Sequence, residues 1–270
     1  MDSVLPWESA PFAGLLVDDA SVSPELRGAL APFQAVIAYT MSEDLLRGLA
    51  RSAPAAEIAA HSPLPPPGGP HAAEWLAQAV AKLGADPAVT PPIFTASAAE
   101  KARAQPWLDR LADRFVAIHP GSGAPRKNWP AARFAALAAQ LAGGRAFLLI
   151  EGPADAEAAA PASRLQGALP ARDLPPRVLG AVLAHAGLYI GNDSGLSHLT
   201  AAWGAPVLAL FGPTDPALWA PVGPRVAVLR AKDEKMESLQ LDEVERAAKA
   251  ILATATSTEN EITSPRPPSG

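Results

Sequence analysis

At 270 residues and 49% hydrophobic content, the chain can bury a substantial core, either as one large domain or as two small ones. The formal charge of −5, from 27 acidic against 22 basic residues, gives no electrostatic reason to expect a nucleic-acid partner, so any phosphate-binding charge must be local. The absence of cysteine excludes disulfides, thiolate nucleophiles and Cys-based zinc sites, and it fits a reducing compartment, with the cytoplasm as the default.

The N-terminal MDSVLPWESAPFAG has no basic region followed by an apolar run, so it does not read as a secretory signal. No apolar stretch of about twenty residues is present to span a bilayer. The pattern predicts strands over 12–17, 34–39 and 55–60 and a helix over 72–83 carrying Trp75, Leu76, Val80 and Leu83, which suggests a smaller α/β unit. The proline-rich HSPLPPPGGP, 61–70, reads as a surface loop. A domain boundary is expected near 100–114, where a local basic stretch begins. Residues 101–145 hold Lys101, Arg103, Arg110, Arg114, Arg126, Lys127, Arg133 and Arg145 against only Asp109 and Asp113.

From Phe115 onward, short apolar runs alternate with helical patterns, the signature of βαβ units and a parallel sheet. Strands are expected at FVAIH (115–119), AFLLIE (146–151), LYIG (188–191), PVLALFG (206–212) and RVAVL (225–229). Pro130 suits a first helical turn, with Phe134, Leu137 and Leu141 at helical spacing before Gly143 and Gly144. Val178, Leu179, Val182 and Leu183 form a second stripe, and a third helix covers 195–203 and stops at Gly204. The closing helix puts Leu241, Val244, Ala248, Ile251 and Leu252 on one face, and the tail from Ser257 has the composition of a disordered end.

Two segments follow predicted strands, where open α/β sheets place their ligand contacts. In IHPGSGAPRKNWP, 118–130, Gly121 and Gly123 permit tight backbone geometry, Ser122 offers a hydroxyl and Lys127 a point charge suited to phosphate. The same segment also reads as an ordinary strand-to-helix loop with solvated Arg126 and Lys127. In YIGNDSGLSHLTAAWGAPVLALFGPTDP, 189–216, Asn192, Asp193, Ser194 and Gly195 form the turn and His198 lies one helical turn further. Free amides at this helix start suit an anion, and Asp193 suits sugar hydroxyls. Asp193 or Ser194 can equally be an N-cap, with His198 a structural histidine. A serine-hydrolase reading of NDSG fails on spacing, because His198 lies four residues along the same helix and no GxSxG elbow is present.

Together, HPGSGAPRKNWP, IEGPADAE and YIGNDSGLSHLTAAWGAPVLALFGPTDPALWAP resemble, in order and spacing, the C-terminal domain of glycosyltransferase family 9, which includes the ADP-heptose:lipopolysaccharide heptosyltransferases. The resemblance covers 115–230 and extends loosely to about 255. It implies an α/β fold of GT-B type, two Rossmann-like domains with parallel sheets. The expected divisions are a shortened acceptor-side domain over 1–105, a donor-binding domain over 106–256 and a disordered tail over 257–270.

The resemblance also implies an inverting, metal-independent transfer of a heptose-like sugar from an ADP-sugar to a lipopolysaccharide core-type acceptor. No cofactor follows from it, and no metal-ligand spacing is visible among the five histidines. By motif position, Gly121, Ser122 and Lys127 would meet the donor phosphates, with Lys127 stabilising the leaving group. Asp193, Ser194, Gly195 and His198 would line the phosphate and sugar region, and Glu151 would sit near the ribose. Thr214 and Asp215 read as a structural turn. Work at a lipopolysaccharide acceptor would bring peripheral contact with the cytoplasmic face of the inner membrane.

Family members open with a strand and a glycine-rich loop whose Gly-Asp pair supplies the proposed base. Here VLPWESAPFAGLL resembles a stretch that normally lies further into that domain, so N-terminal shortening is expected. Asp18 and Asp19 are early paired carboxylates that do not match the loop, and the general base is unassigned. The alternatives are a nucleotide-sugar-binding protein without transfer activity, or another GT-B sugar-nucleotide enzyme such as an epimerase.

Overall fold

The computed structural model describes residues 4–7, 12, 14–16, 22–143, 146–153 and 155–263, with side chains through Thr254. Asp18 and Asp19 lie outside the described residues, as do Gly144 and Arg145. The chain divides into a unit over residues 1–90 and a unit over 91–270.

The first unit runs α1 (Pro24–Leu30), β1 (Ala35–Tyr39), α2 (Glu43–Ser52), β2 (Glu57–His61) and α3 (Ala72–Ala81). β1 and β2 pair in parallel, from Ala35 opposite Glu57 to Tyr39 opposite His61. Ser42 caps α2 by accepting the Leu45 amide, and Glu43 and Asp44 in the first turn favour the positive end of the helix dipole. Within the strand expected over 12–17, Gly14–Leu16 form a 3-10 turn instead. Leu15 is buried and its backbone rests on α2 at Gly48, where an added Cβ would fall 2.3 Å from the Leu15 carbonyl oxygen. Close backbone contact with a helix replaces strand pairing here.

The second unit begins at Pro91, ahead of the division expected at 105/106, because α4 (Ala98–Leu108) packs against it. Ser97 and Glu100 form a capping box at the start of α4. Arg177 forks onto the Glu100 carboxylate and donates to the Thr95 carbonyl at 3.2 Å. Its guanidinium also lies 5.9 Å from the Phe94 ring centroid and 5.6 Å from that of Trp203, so segment 94–100 is held by charge and by cation-π contact.

The rest of this unit alternates strand and helix: β3 (Val116–His119), α5 (Ala131–Ala142), β4 (Phe147–Glu151), α6 (Ala156–Ser163), β5 (Ala168–Arg172), α7 (Pro176–Leu183), β6 (Leu188–Asn192), α8 (Gly195–Ala202), β7 (Val207–Phe211), α9 (Pro216–Trp219), β8 (Val226–Arg230) and α10 (Leu241–Thr263). Every residue of β3, β4, β6 and β7 is buried. Strands buried along their whole length require helices on both faces, and the two main hydrophobic clusters lie on opposite sides of the sheet. All pairs are parallel and the strand order is β5-β4-β3-β6-β7-β8. The order reverses direction between β3 and β6, which opens a crevice at their carboxyl ends.

β5 was not expected, because Pro170 sits in its centre. Its position at the sheet edge resolves the conflict, since β5 pairs only with β4 and the missing proline N–H faces away from that ladder. The tail expected to be disordered from Ser257 continues as helix α10 to Thr263. No Gly or Pro occurs between Leu241 and Pro265 to end it, and residues 264–270 lie outside the described residues.

Candidate functional site

The switch-point crevice is lined by the loops that leave β3, β6 and β7. Asn192, the last residue of β6 and fully buried, fixes the first of these to the second. Its Nδ2 donates to the carbonyls of Pro120 and Gly121 at 2.9 and 3.2 Å, and its Oδ1 accepts the Trp129 amide at 3.0 Å. Trp129 is itself buried and donates from Nε1 to the Leu239 carbonyl, so the loop is clamped at both ends. Between the clamps, Ser122 Oγ accepts the Ala124 amide at 3.2 Å and lies 2.6 Å from Asn128 Oδ1.

This scaffold delivers Lys127 to the crevice. Its ammonium reaches Asp193 Oδ2 at 2.7 Å, and Thr214 Oγ1 donates to the same oxygen at 2.7 Å. Three strand ends thus converge on one carboxylate that is almost entirely buried. Ser194 has N-cap backbone geometry but makes no side-chain capping bond, so its hydroxyl does not occupy the amides at the start of α8. Lysine, uncapped amides and hydroxyls gathered at the switch point are the chemistry that suits a multiply charged oxyanion.

A second network lies beneath the first. His119, the last residue of β3, is buried, and its Nε2 is 2.9 Å from Asp155 Oδ2. The same Asp155 oxygen accepts the Gly152 amide at 2.8 Å. These bonds, the His119 one foremost, hold the Asp155 carboxyl below the usual carboxylate range. His119 Nδ1 lies 3.4 Å from Ser194 Oγ and 3.5 Å from the hydroxyl of Tyr189. Burial pushes the Tyr189 phenol well above its ordinary value and keeps it protonated.

Of the residues singled out from the sequence, Ser122, Lys127, Asp193, Ser194, Gly195 and the half-buried His198 belong to these loops and to the first turn of α8. Gly121 is there for space, since a Cβ would meet Asp155 Oδ1 at 1.8 Å. Glu151 is buried at the end of β4, but both its carboxylate oxygens are taken by Arg172, at 2.7 and 3.1 Å. Glu151 borders a cavity of ≈ 220 Å³ that His119 and Asp173 also line. A ligand there would meet a neutralised pair rather than a free carboxylate.

The basic stretch over 101–145 does not gather into one patch. Lys127 enters the crevice, whereas Arg133 donates to the Glu237 and Leu239 carbonyls. Arg114 lines a larger cavity, ≈ 690 Å³, at the amino ends of the strands, away from this chemistry. Thr214, expected only as a turn residue, is part of the site. Asp215 caps α9 by accepting the Ala217 amide and pairs with Arg230. His119, Asp155 and Tyr189 were not singled out from the sequence, and Asn192, expected in the turn, instead closes β6. The one available signal was a histidine closing a strand directly before a glycine-rich loop. Among the described residues no group of three or more His, Asp or Glu side chains converges as a metal site, and no helix is long and apolar enough to cross a membrane.

Residues 34–249 match the family model described as glycosyltransferase family 9 (heptosyltransferase). Among curated proteins, the chain is 33% identical over 148 residues to lipopolysaccharide heptosyltransferase 3 of Escherichia coli, covering 52% of this chain and 44% of that protein. It is 45% identical over 58 residues to lipopolysaccharide heptosyltransferase 1 of E. coli K12, covering 22% and 18%. In these matches the chain spans less than half the length of its curated relatives. Among solved structures, a family 9 glycosyltransferase from Veillonella parvula superposes with a TM-score of 0.72 at 22% identity, covering 84% of this chain and 76% of that one. The E. coli heptosyltransferase WaaC with ADP gives 0.63 at 23%, covering 91% and 79%. These likenesses show the fold, α/β of GT-B type.

Proposed function

Because the chain belongs to glycosyltransferase family 9, we propose that its second unit binds an ADP-sugar and that the protein transfers a heptose-like sugar to a lipopolysaccharide core-type acceptor. The observation that carries this reading is the ion pair of Lys127 with Asp193, whose carboxylate Thr214 also bonds, beside the uncapped start of α8 at the topological switch point. A diphosphate in that crevice would meet the Lys127 ammonium and the amides of Gly195 and its neighbours, both of which bind anions without a specific base to recognise. Likeness to relatives that act in lipopolysaccharide assembly, and to a neighbour solved with ADP, supports the same donor and acceptor classes.

In the proposed reaction an acceptor hydroxyl attacks the anomeric carbon as the bond from that carbon to the diphosphate oxygen breaks. The electron pair of that bond leaves with ADP, and the acceptor proton passes to a base that is unassigned among the described residues. A single displacement inverts the anomeric centre. Lys127 and the α8 amides act where negative charge grows on the departing oxygen, which is the condition for lowering the barrier rather than only tightening binding. Asp193, freed from Lys127 by the phosphates, is placed to accept sugar hydroxyls, with Ser122, Ser194 and His198 along the same channel and Glu151 toward the nucleoside. A cytoplasmic location, with contact at the inner-membrane face where such acceptors are anchored, goes with this reading.

The test is ADP release from ADP-heptose with and without a heptose-deficient lipopolysaccharide core. Acceptor-dependent release supports transfer. Saturable ADP-heptose binding with no release under either condition would point to a binding protein, and acceptor-independent turnover of the sugar nucleotide to an epimerase-type reaction.

A further inference from the structure

Three hydroxyls, those of Tyr189, Ser194 and Ser197, cluster around His119, and following their protons gives the chain of donation. Ser197 Oγ donates to the Asn192 carbonyl at 2.6 Å and so can only accept from its neighbours. Tyr189 lies 3.3 Å from Ser197 Oγ and 3.5 Å from His119 Nδ1, so its one proton has its shorter contact at Ser197. His119 Nε2 faces the Asp155 carboxylate, which can only accept, and therefore carries a hydrogen. With that one hydrogen at Nε2, Nδ1 is an acceptor, and Ser194 Oγ, 3.4 Å from Nδ1 and 3.5 Å from Ser197 Oγ, has its shorter contact at the imidazole. In that arrangement the Ser194 proton points inward, and the crevice sees its lone pairs.

An incoming phosphate oxygen needs the opposite polarity. Resting on the reading of the crevice as a nucleoside-diphosphate site, we infer that diphosphate binding draws one proton from solvent onto His119 Nδ1, turning Ser194 from a donor toward the imidazole into a donor toward the phosphate. The bookkeeping is closed: the new N–H at Nδ1 donates to Ser194 Oγ, the Ser194 O–H rotates to the phosphate oxygen, and Asp155 balances the imidazolium. The titratable groups facing His119 suit this exchange. Asp155, at the N-cap position of α6, is held ionised, and Tyr189 on β6 is held protonated by burial. Glu151 on β4, across the shared cavity, is already neutralised by Arg172, and Asp173 after β5 lines the same cavity. His119 is thus a positioning residue that acts on the ligand through Ser194.

Calorimetry of the full chain with ADP, at about pH 8 in buffers of low and high ionisation enthalpy, counts protons taken up on binding. The expected wild-type result is a slope of up to about one proton, abolished in His119→Gln and reduced in Ser194→Ala. Saturable ADP binding with no buffer dependence overturns the inference and leaves the donor site standing, because it means Ser194 donates outward unaided. A slope unchanged in His119→Gln, or in Ser194→Ala should the first variant fail to fold, overturns it equally, by moving the proton to another group such as His198. Absence of any ADP binding overturns the donor-site reading, and the inference falls with it.

Discussion

Lys127 and Asp193, 66 positions apart in the chain, meet at 2.7 Å across the point where the strand order of the second unit reverses. The lysine side chain keeps 25% exposure while the aspartate keeps 9%, so the ammonium faces the opening and the carboxylate lies behind it. A diphosphate that enters must compete with Asp193 for the same cation. The pair therefore pre-positions Lys127 and also sets a threshold for binding.

Replacing Asp193 with Asn removes that competition. The variant is expected to bind ADP several-fold tighter, roughly the worth of one partly exposed ion pair, while losing affinity for the sugar-bearing donor. Parallel titrations with ADP and ADP-heptose check the opposed signs. Weakening of both ligands alike would show that Asp193 serves only to hold the loop.

Thr214→Val leaves Asp193 Oδ2 without its hydroxyl donor at an almost fully buried position. A loss of about 1–2 kcal/mol in unfolding free energy is expected, together with a modest fall in ADP affinity. Urea denaturation of both proteins measures the first quantity and titration the second.

The β3–α5 loop was legible in the sequence as a phosphate candidate, because glycine, serine and lysine after a strand are enough to suggest it. The continuous apolar runs likewise identified β3, β4, β6 and β7, since a strand buried on both faces leaves no other pattern. Pro170 hid β5, because whether a strand lies at an edge is decided by its neighbours and not by its own residues. His119 was hidden for a related reason. Its partners lie on two other segments, Asp155 after β4 and Tyr189 with Ser194 on the β6–α8 stretch, and only the sheet order brings them to His119. Thr214 read as a turn because its contact, Asp193, lies across the crevice.

Gly121→Ala places a methyl group 1.8 Å from Asp155 Oδ1, a distance no rotamer adjustment of the alanine can relieve. Asp155 must swing away from His119 and the Gly152 amide. The expected cost is about 1–3 kcal/mol, visible as a lower melting temperature.

Acid should act through the same carboxylate. Hydrogen bonding to His119, ahead of the Gly152 amide, lowers the Asp155 pKa relative to the unfolded chain. Its contribution to stability is then fully present above the unfolded value of about 3.9 and is lost as pH falls through the lower folded value. Asp155→Asn is expected to be less stable than wild type at neutral pH, with the gap narrowing below about pH 4. A gap that stays constant across that range would contradict the assignment of charge to Asp155 in the folded protein.

The most direct test of a nucleoside-diphosphate site at the switch point is calorimetric titration of ADP into the 270-residue chain and into its Lys127→Ala variant. Saturable binding is expected, weakened by about 10- to 100-fold in the variant, as loss of a charge-assisted contact to phosphate requires. No binding to the wild type, or equal binding to both proteins, would contradict it.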